Sequence, residues 1–261
     1  MRALHSAATG MMAQETNVEV ISNNIANMRT AGFKKQRVEF QDLLYQSIRR
    51  VGSSTSDSGT MVPTGVQIGS GVRTAATSRI MSQGSVEATE KALDVAIRGE
   101  GFFAIELPDG RTGYSRDGSF ERDASGTLVT VDGYTVGDGI TIPSNARNLT
   151  INAQGTVEAI LGDASAVSSL GQIQLHTFVN RAGLEAAGDN IYLETSASGS
   201  AETGTPGEAG VGSLLQGYLE MSNVVAVTEI SDLIAAQRAY EMNSRVIKAA
   251  DEMLSSTANI R

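Results

Sequence analysis

Apolar residues recur at a helical spacing at both ends of the chain. In residues 1–28 one apolar row advances seven positions at a time, with Ile21 beside it, and consists of Leu4, Met11, Val18 and Ile25. Near the C-terminus the same step connects Leu219, Ala226, Leu233, Tyr240, Ile247 and Leu254. A repeat near 3.5 residues predicts a long amphipathic helix at each end of the chain.

A long amphipathic helix needs a partner for its apolar face. We expect the two helices to pair as a coiled coil and to contact the helices of other copies, because both keep apolar side chains along most of their length. The predicted subunit interface consists of Leu4, Met11, Val18, Ile21, Ile25, Leu233, Tyr240, Ile247 and Leu254. A second interpretation stays open, in which both helices pack only within their own monomer.

The period changes to two in the middle of the chain. Residues 93–97, 103–107 and 173–175 alternate as half-buried strands do. Glycine follows a polar residue where such strands would reverse, at positions 110, 118, 126, 133 and 155. The pattern predicts a twisted antiparallel β domain.

Two small, polar, glycine-rich stretches without a period flank the predicted strands, at residues 52–60 and 195–212. We therefore expect a mixed α and β protein in which an all-β domain is inserted between two terminal helices. The predicted boundaries are a helical assembly domain at 1–32 and 223–261, connecting segments at 33–75 and 205–222, and an outer β domain at 76–204.

Composition narrows the possible chemistry. A net charge of −9 over 261 residues argues against a general nucleic-acid binder. The chain contains no cysteine and two histidines, so we expect no disulfide, no thiol nucleophile, no metal site and no cofactor. The absence of a long apolar run and of a signal-peptide core would, taken alone, indicate a soluble protein that stays inside the cell.

Two local motifs suggest catalysis or nucleotide binding and fail on context. Residues 99–104 fit the Gly-x-Gly-x-x-Ala phosphate loop, but the following residues alternate like a strand, whereas a dinucleotide site needs a helix. Asp117, Glu121 and Asp123 resemble a glycosidase carboxylate set, but they occupy turn positions beside arginines. We expect no catalytic residues and no enzymatic activity.

Residues 29–50 form a basic stretch of net charge +4, which contains six Lys or Arg residues against Glu39 and Asp42. The simpler interpretation is a solvated face. The alternative is a basic collar that attracts the acidic surface of other copies.

Several separated motifs resemble those of the bacterial flagellar rod and hook proteins. The N-terminal signature is carried by Asn23, Asn24, Ala26, Asn27, Thr30, Gly32, Phe33 and Lys34. Similar motifs follow in the same order at residues 94–103, 114–120, 216–220 and 237–241. The chain length and residues 67–72 are most similar to the distal rod members of this family.

The resemblance implies a structural subunit of the distal rod, which polymerises into a rigid, hollow, helical drive shaft and transmits torque across the periplasm to the hook. The implied partners are further copies of the chain, proximal rod and hook or hook-junction subunits, the surrounding P and L ring proteins, and the flagellar type III export gate. The alternatives are another axial subunit, proximal rod or hook, or a peptidoglycan-acting enzyme.

The resemblance also implies export through the type III apparatus without a cleaved signal peptide, which reverses the expectation of an intracellular location. Phe40 and Leu44 fit the short export motif of the family. The stretch at 45–63 is the candidate for the insertion that distinguishes rod from hook.

Overall fold

The computed structural model describes residues 2–49, 64–137, 139–162, 167–208 and 210–259. The chain forms two compact units. Unit 1 contains Met1–Ala26, Gln36–Ser78 and Val225–Arg261, and unit 2 contains Asn27–Lys35 and Arg79–Val224. The predicted boundaries at 1–32, 33–75, 76–204, 205–222 and 223–261 thus fall at different positions from those that separate the units.

Two long helices, α1 (Arg2–Ala26) and α2 (Ala226–Asn259), pack together in unit 1. Small residues allow a close approach: Ala13 and Ala236 are buried, and a Cβ at Gly10 would lie 2.8 Å from Nδ2 of Asn243. The predicted pairing of terminal helices is confirmed. Among the described residues, neither helix is long and apolar enough to cross a membrane.

The other described elements of unit 1 are four short strands. Their bounds are β1 Gln36–Asp42, β2 Tyr45–Arg49, β3 Val66–Gly69 and β4 Val72–Arg79. β1 pairs with β4, and β2 pairs antiparallel with β3. Val38 is buried, whereas every residue of β2 is exposed.

The residues of unit 2 that the structure describes form short strands and one 3₁₀ turn. The strands are β5 Val86–Ala88, β6 Val95–Arg98, β7 Phe102–Glu106, β8 Thr112–Ser115, β9 Phe120–Arg122, β10 Leu128–Thr130, β11 Thr135–Val136, β12 Ala146–Ile151, β13 Thr156–Leu161, β14 Val167–Gln172, β15 Leu175–Thr177, β16 Glu185–Gly188, β17 Ile191–Leu193, β18 Glu202–Gly204, β19 Ser213–Gln216 and β20 Tyr218–Glu220, with the turn at Arg181–Gly183.

The largest sheet of unit 2 runs in the order β16-β17-β8-β7-β11-β10-β9, with β15 between β7 and β18. Its register pairs Phe103 with Ser115 and Ile105 with Gly113. A second sheet has the order β12-β13-β14, and the pairs β6-β19 and β5-β20 complete the unit. These pairings of unit 2 are antiparallel, which confirms the predicted β domain.

The core of unit 2 is formed by the inward faces of these strands, including Val95, Ile97, Phe103, Phe120, Leu128, Ile173, Leu175 and Leu214. Phe103 and Phe120 meet edge to face with ring centroids 5.0 Å apart. A second cluster surrounds Phe102, which contacts the rings of Phe178 and Tyr192. Each fully buried side chain of this size contributes about 1.5–3 kcal/mol relative to exposure.

Leu219 continues the seven-residue step of the C-terminal helix but stands before the predicted helical segment at 223–261, and it lies in β20, opposite Glu87 in β5. Tertiary hydrogen bonds keep the following residues extended. The Asn223 side chain donates to the carbonyl of Ile80 at 2.8 Å and accepts from the Lys35 backbone at 2.8 Å. These bonds outweigh the local helical pattern until Ala226.

The predicted turns contain glycines with left-handed backbones at Gly110, Gly126, Gly133 and Gly155. Gly118 is needed for a different reason. A Cβ at this position would lie 1.8 Å from the carbonyl oxygen of Val95 and 3.2 Å from the Phe103 ring.

We expect Gly118→Ala to lower the free energy of unfolding by about 1–3 kcal/mol or more, because the new methyl overpacks rigid backbone. Gly110→Ala is the control, since a Cβ there meets nothing within 4 Å and only its positive φ opposes the change. Urea denaturation followed by circular dichroism measures both. Equal losses in the two variants would contradict the steric account.

Candidate functional site: the buried charge cluster and the helix faces

Three charged side chains lie together in the interior of unit 2. Lys34 Nζ donates to Glu220 Oε1 at 2.6 Å, and Arg116 Nη1 donates to Glu220 Oε2 at 3.1 Å. The exposed fractions of the three side chains are 1%, 2% and 0% for Lys34, Arg116 and Glu220. We call this group the charge cluster.

The charge cluster is also tied to backbone. Lys34 Nζ donates to the Ser82 carbonyl at 2.8 Å, Arg116 Nη2 donates to the Gly99 carbonyl at 2.7 Å, and the Gly84 amide donates to Glu220 at 2.9 Å. Glu220 therefore joins segments of the chain that are far apart in sequence. Each buried charge depends on these partners, since an unpaired one costs several kcal/mol.

Electrostatics in the charge cluster are asymmetric, with two cations around one carboxylate. Burial lowers the pKa of Lys34, and the nearby Glu220 carboxylate works against that shift. Burial likewise lowers the pKa of Arg116, again opposed by Glu220. Arg116 Nε is buried without a hydrogen-bond partner in the part of the chain that the structure describes. Glu220 thus forms an ion pair with both cations.

The segment Asn27–Lys35, which follows α1, is fastened to unit 2 beside the charge cluster. The Gly32 amide donates to the Glu220 carbonyl at 2.8 Å, and Asn190 Nδ2 donates to the Ala31 carbonyl at 2.8 Å. Gly32 has φ +69, and a Cβ there would lie 2.6 Å from the Asp117 nitrogen. Only glycine fits this position.

Unit 1 has a polar contact of its own around Asn24, which is buried in α1. Asn24 Nδ2 donates to Glu229 Oε2 of α2 at 3.0 Å and to the Gln36 carbonyl at 2.9 Å. The Gln36 amide donates back to Asn24 Oδ1 at 2.9 Å. One amide side chain therefore sets the register of α1, α2 and the start of β1.

The other residues of the N-terminal signature have smaller roles. Asn23 and Ala26 are exposed, Phe33 is half-buried, and Thr30 Oγ1 donates to Asn27 Oδ1 at 3.1 Å. Lys34 is the member that sequence reasoning misread, because it stands in a basic stretch that indicated a solvated face or collar. Its partner is 186 positions away, so no local pattern marks it as buried.

The structure places most of the predicted interface residues against the neighbouring helix of the same chain. Ile21 is buried, and the half-buried members are Leu4, Met11, Val18, Ile25, Leu233 and Ile247. Tyr240 and Leu254 keep 44% and 43% of their surface exposed. The predicted interface residues therefore range from buried to partly exposed on the helix pair.

Other apolar side chains of α2 are more exposed than the predicted set. Val227, Ile230 and Ile234 lie on the side turned away from α1, and Met242, Val246 and Met253 form a stripe along one flank. Apolar surface of this extent on a long helix is typical of a protein-contact surface.

The predicted export residues lie in unit 1. Phe40 is in β1 and is partly exposed, and Leu44 follows β1 with 88% of its surface exposed. Of the predicted insertion at 45–63, residues 45–49 form β2. Residues 50–63, and with them the glycine-rich stretch 52–60, lie outside the described residues.

The motifs rejected as catalytic have structural partners. Residues 102–106 form strand β7, so no helix follows the glycine motif at 99–104. Asp117 Oδ1 accepts from the amide and the hydroxyl of Ser119 and thereby closes a turn. Within the described ranges, no three His, Asp or Glu residues group as metal ligands.

A pair of terminal helices with exposed apolar faces and a β unit inserted between them define a structural protein of the axial type. Three family profiles identify it further. Residues 4–34 match "Flagella basal body rod protein", residues 96–159 match "Flagellar hook protein FlgE/F/G D1 domain", and residues 215–260 match "Flagellar basal body rod FlgEFG protein C-terminal".

Full-length relatives agree with the profiles. The chain is 56% identical to the flagellar basal-body rod protein FlgG of Caulobacter vibrioides, with 100% of both chains covered. It is 52% identical to FlgG of Agrobacterium fabrum over 98% of this chain and 97% of the relative, and 40% identical to FlgG of Bacillus subtilis over 100% and 99%. The chain belongs to the flagellar basal-body rod protein family, a family of structural components of the flagellar basal body.

The charge cluster makes a prediction about stability. We expect Glu220→Gln to lower the free energy of unfolding by about 3–5 kcal/mol, because it keeps the shape but leaves two buried cations without an anion. Glu87→Gln removes the same charge from an exposed position on the paired strand β5 and should change stability by less than about 0.5 kcal/mol. Urea titration of both variants by circular dichroism checks this. A small loss at Glu220 would show that the cluster is not structural.

Proposed function

We propose that the protein is the distal rod subunit of the bacterial flagellum. Copies of the chain assemble into a rigid, hollow, helical shaft that carries motor torque across the periplasm to the hook. The observation that carries this proposal is the exposed apolar surface of α2, at Val227, Ile234, Met242 and Val246, in a chain related over its full length to rod proteins.

Unit 1 supplies the contacts between copies. The predicted interface residues lie on the flanks of the helix pair, where half-buried side chains reach both the partner helix and a neighbouring subunit. The stripes of α2 add surface that α1 leaves uncovered. Contacts between different surfaces of identical subunits propagate when the rotation is helical, which is the geometry a shaft requires.

The partners and location follow from this role. We propose contacts with proximal rod subunits at one end, with hook or hook-junction subunits at the other, and with the P and L ring proteins around the shaft. Export proceeds through the flagellar type III gate, and the sequence spacing of Phe40 and Leu44 supports recognition of the unfolded chain there. The protein acts mechanically and not as an enzyme.

Deletion of the gene in the parent bacterium tests the proposal. We expect non-motile cells whose basal bodies, viewed by electron microscopy, carry a truncated rod and no hook. Completed rods without hooks would indicate a hook subunit instead. Normal flagella would contradict an axial role altogether, and a cleared band on a peptidoglycan gel would favour the wall-degrading alternative.

A substitution on the outer surface of α2 tests the assembly surface. Val227→Asp places a charge where a dry seam between copies is proposed, and the monomer should tolerate it, since Val227 is 76% exposed in the first turn, where an acid favours the helix dipole. We expect normal melting of the monomer and loss of swimming in the complemented deletion strain.

The matched control is Val131→Asp, the same change at a 70% exposed valine of unit 2. Cells that carry this control variant should swim at least half as fast as cells that carry the wild-type protein. Equal swimming of the two variants would argue against an assembly surface on α2.

A further inference from the structure

A groove of about 500 Å³ runs between α1 and α2 on one flank of the helix pair. Val18 of α1 and Tyr240 of α2 contribute the apolar part of its lining. Glu15 and Glu19 line the α1 side, one helical turn apart, and Gln237 and Glu241 line the α2 side. The groove thus combines an apolar floor with three carboxylates.

The two carboxylates on the α1 side of this groove lack compensating charge. Among the described residues, Glu15 and Glu19 form no ion pair, and Glu241 meets only Arg245 at 4.0 Å, with both side chains largely exposed. An exposed pair of this length contributes little. The groove therefore offers an apolar site with net negative charge, which suits an apolar segment that carries cations.

One surface of the same chain has this composition. Met242 and Val246 of α2, which are 59% and 47% exposed, lie one turn apart. Arg238 precedes Met242 by one turn, and Arg245 stands beside Val246, so that the two cations are about 10 Å apart along the helix. Within the described part of the chain Arg238 forms no ion pair. We call Arg238, Met242, Arg245 and Val246 the ridge.

The groove and the ridge face different directions. Tyr240 and Gln237 of the groove point towards the α1 side of α2, whereas Met242 is about 160° further around the helix from Tyr240. The ridge of a chain therefore cannot fill its own groove. A second copy can, because the two surfaces match in both apolarity and charge.

We propose that the groove of one subunit receives the ridge of the next. Met242 and Val246 pack on Val18 and Tyr240, and Arg238 and Arg245 pair with Glu15, Glu19 and Glu241 of the neighbour. Because groove and ridge are different surfaces, every assembled pair keeps one groove and one ridge unoccupied, so the contact propagates and does not close as a dimer. This inference rests on the proposed rod function and names the surfaces that carry it.

Cysteine cross-linking provides a direct test, since the chain has no cysteine of its own. The double variant Val18→Cys with Met242→Cys is expressed in the deletion strain, the cells are treated with a mild oxidant, and the protein is examined on a non-reducing gel. We expect a ladder of dimers, trimers and larger species that reduction abolishes. Each single variant should remain monomeric, and a mixture of the two single variants should stop at dimers.

The control is Val18→Cys with Val131→Cys, whose second position is 70% exposed but lies in unit 2, outside the ridge. It should give no ladder. Motile cells that give no ladder from the Val18 and Met242 pair would overturn the pairing while leaving the rod function intact. Normal flagella in the deletion strain would overturn the rod function itself.

Charge reversal gives a second readout if the cysteine pair disturbs assembly. Glu15→Arg with Glu19→Arg should abolish swimming, and adding Arg238→Glu with Arg245→Glu in the same chain should restore it at least tenfold. Glu185→Arg with Glu202→Arg changes the net charge equally at exposed positions of unit 2 and should swim normally. Normal swimming of the groove variant, or no recovery in the combined variant, would overturn the pairing.

Discussion

The structure of unit 2 depends on one buried anion. Glu220 holds Lys34 and Arg116, and its backbone carbonyl accepts from Gly32, so this residue holds the segment that follows α1 at two points. Removing charges from water is costly, and these three tolerate it only because their main polar atoms have partners. An apolar contact at the same place would hold the segment without specifying its register, whereas directed ionic bonds set both position and orientation.

The helix pair of unit 1 divides its surface between two tasks. Small buried residues such as Ala13 and Ala236 bring α1 and α2 close together, and Asn24 fixes their register through Glu229. The larger apolar residues lie at the flanks or outside. A protein that functions alone would bury them. In a family of rod components, this distribution is what allows a stable subunit to remain available for contacts with its neighbours.

Periodic features were predictable from the sequence, and long-range polar contacts were not. The helical step around Val18 and the alternation around Phe103 are local signals, and both elements formed as expected. Leu219 continues the helical step but pairs in β20, because bonds made by Asn223 to distant backbone override a local pattern. Lys34 could not be distinguished from its exposed basic neighbours in the sequence, because the partners that bury it are distant in the chain and come close only in the folded structure. Likewise, the apolar residues that recur every seven positions indicated that the helices make contacts, but only the structure of the helix pair shows which of their side chains remain exposed.

The two buried polar contacts join residues that are far apart in the sequence. Lys34 and Glu220 are 186 positions apart, and Asn24 and Glu229 are 205 positions apart. Contacts between such distant residues form late in folding, because closing the long loop between them costs conformational entropy before the contact can offset that cost. A chain that is available only from its N-terminal end cannot form either contact until Glu220 and Glu229 are present. Both contacts therefore complete the fold of the chain and do not begin it.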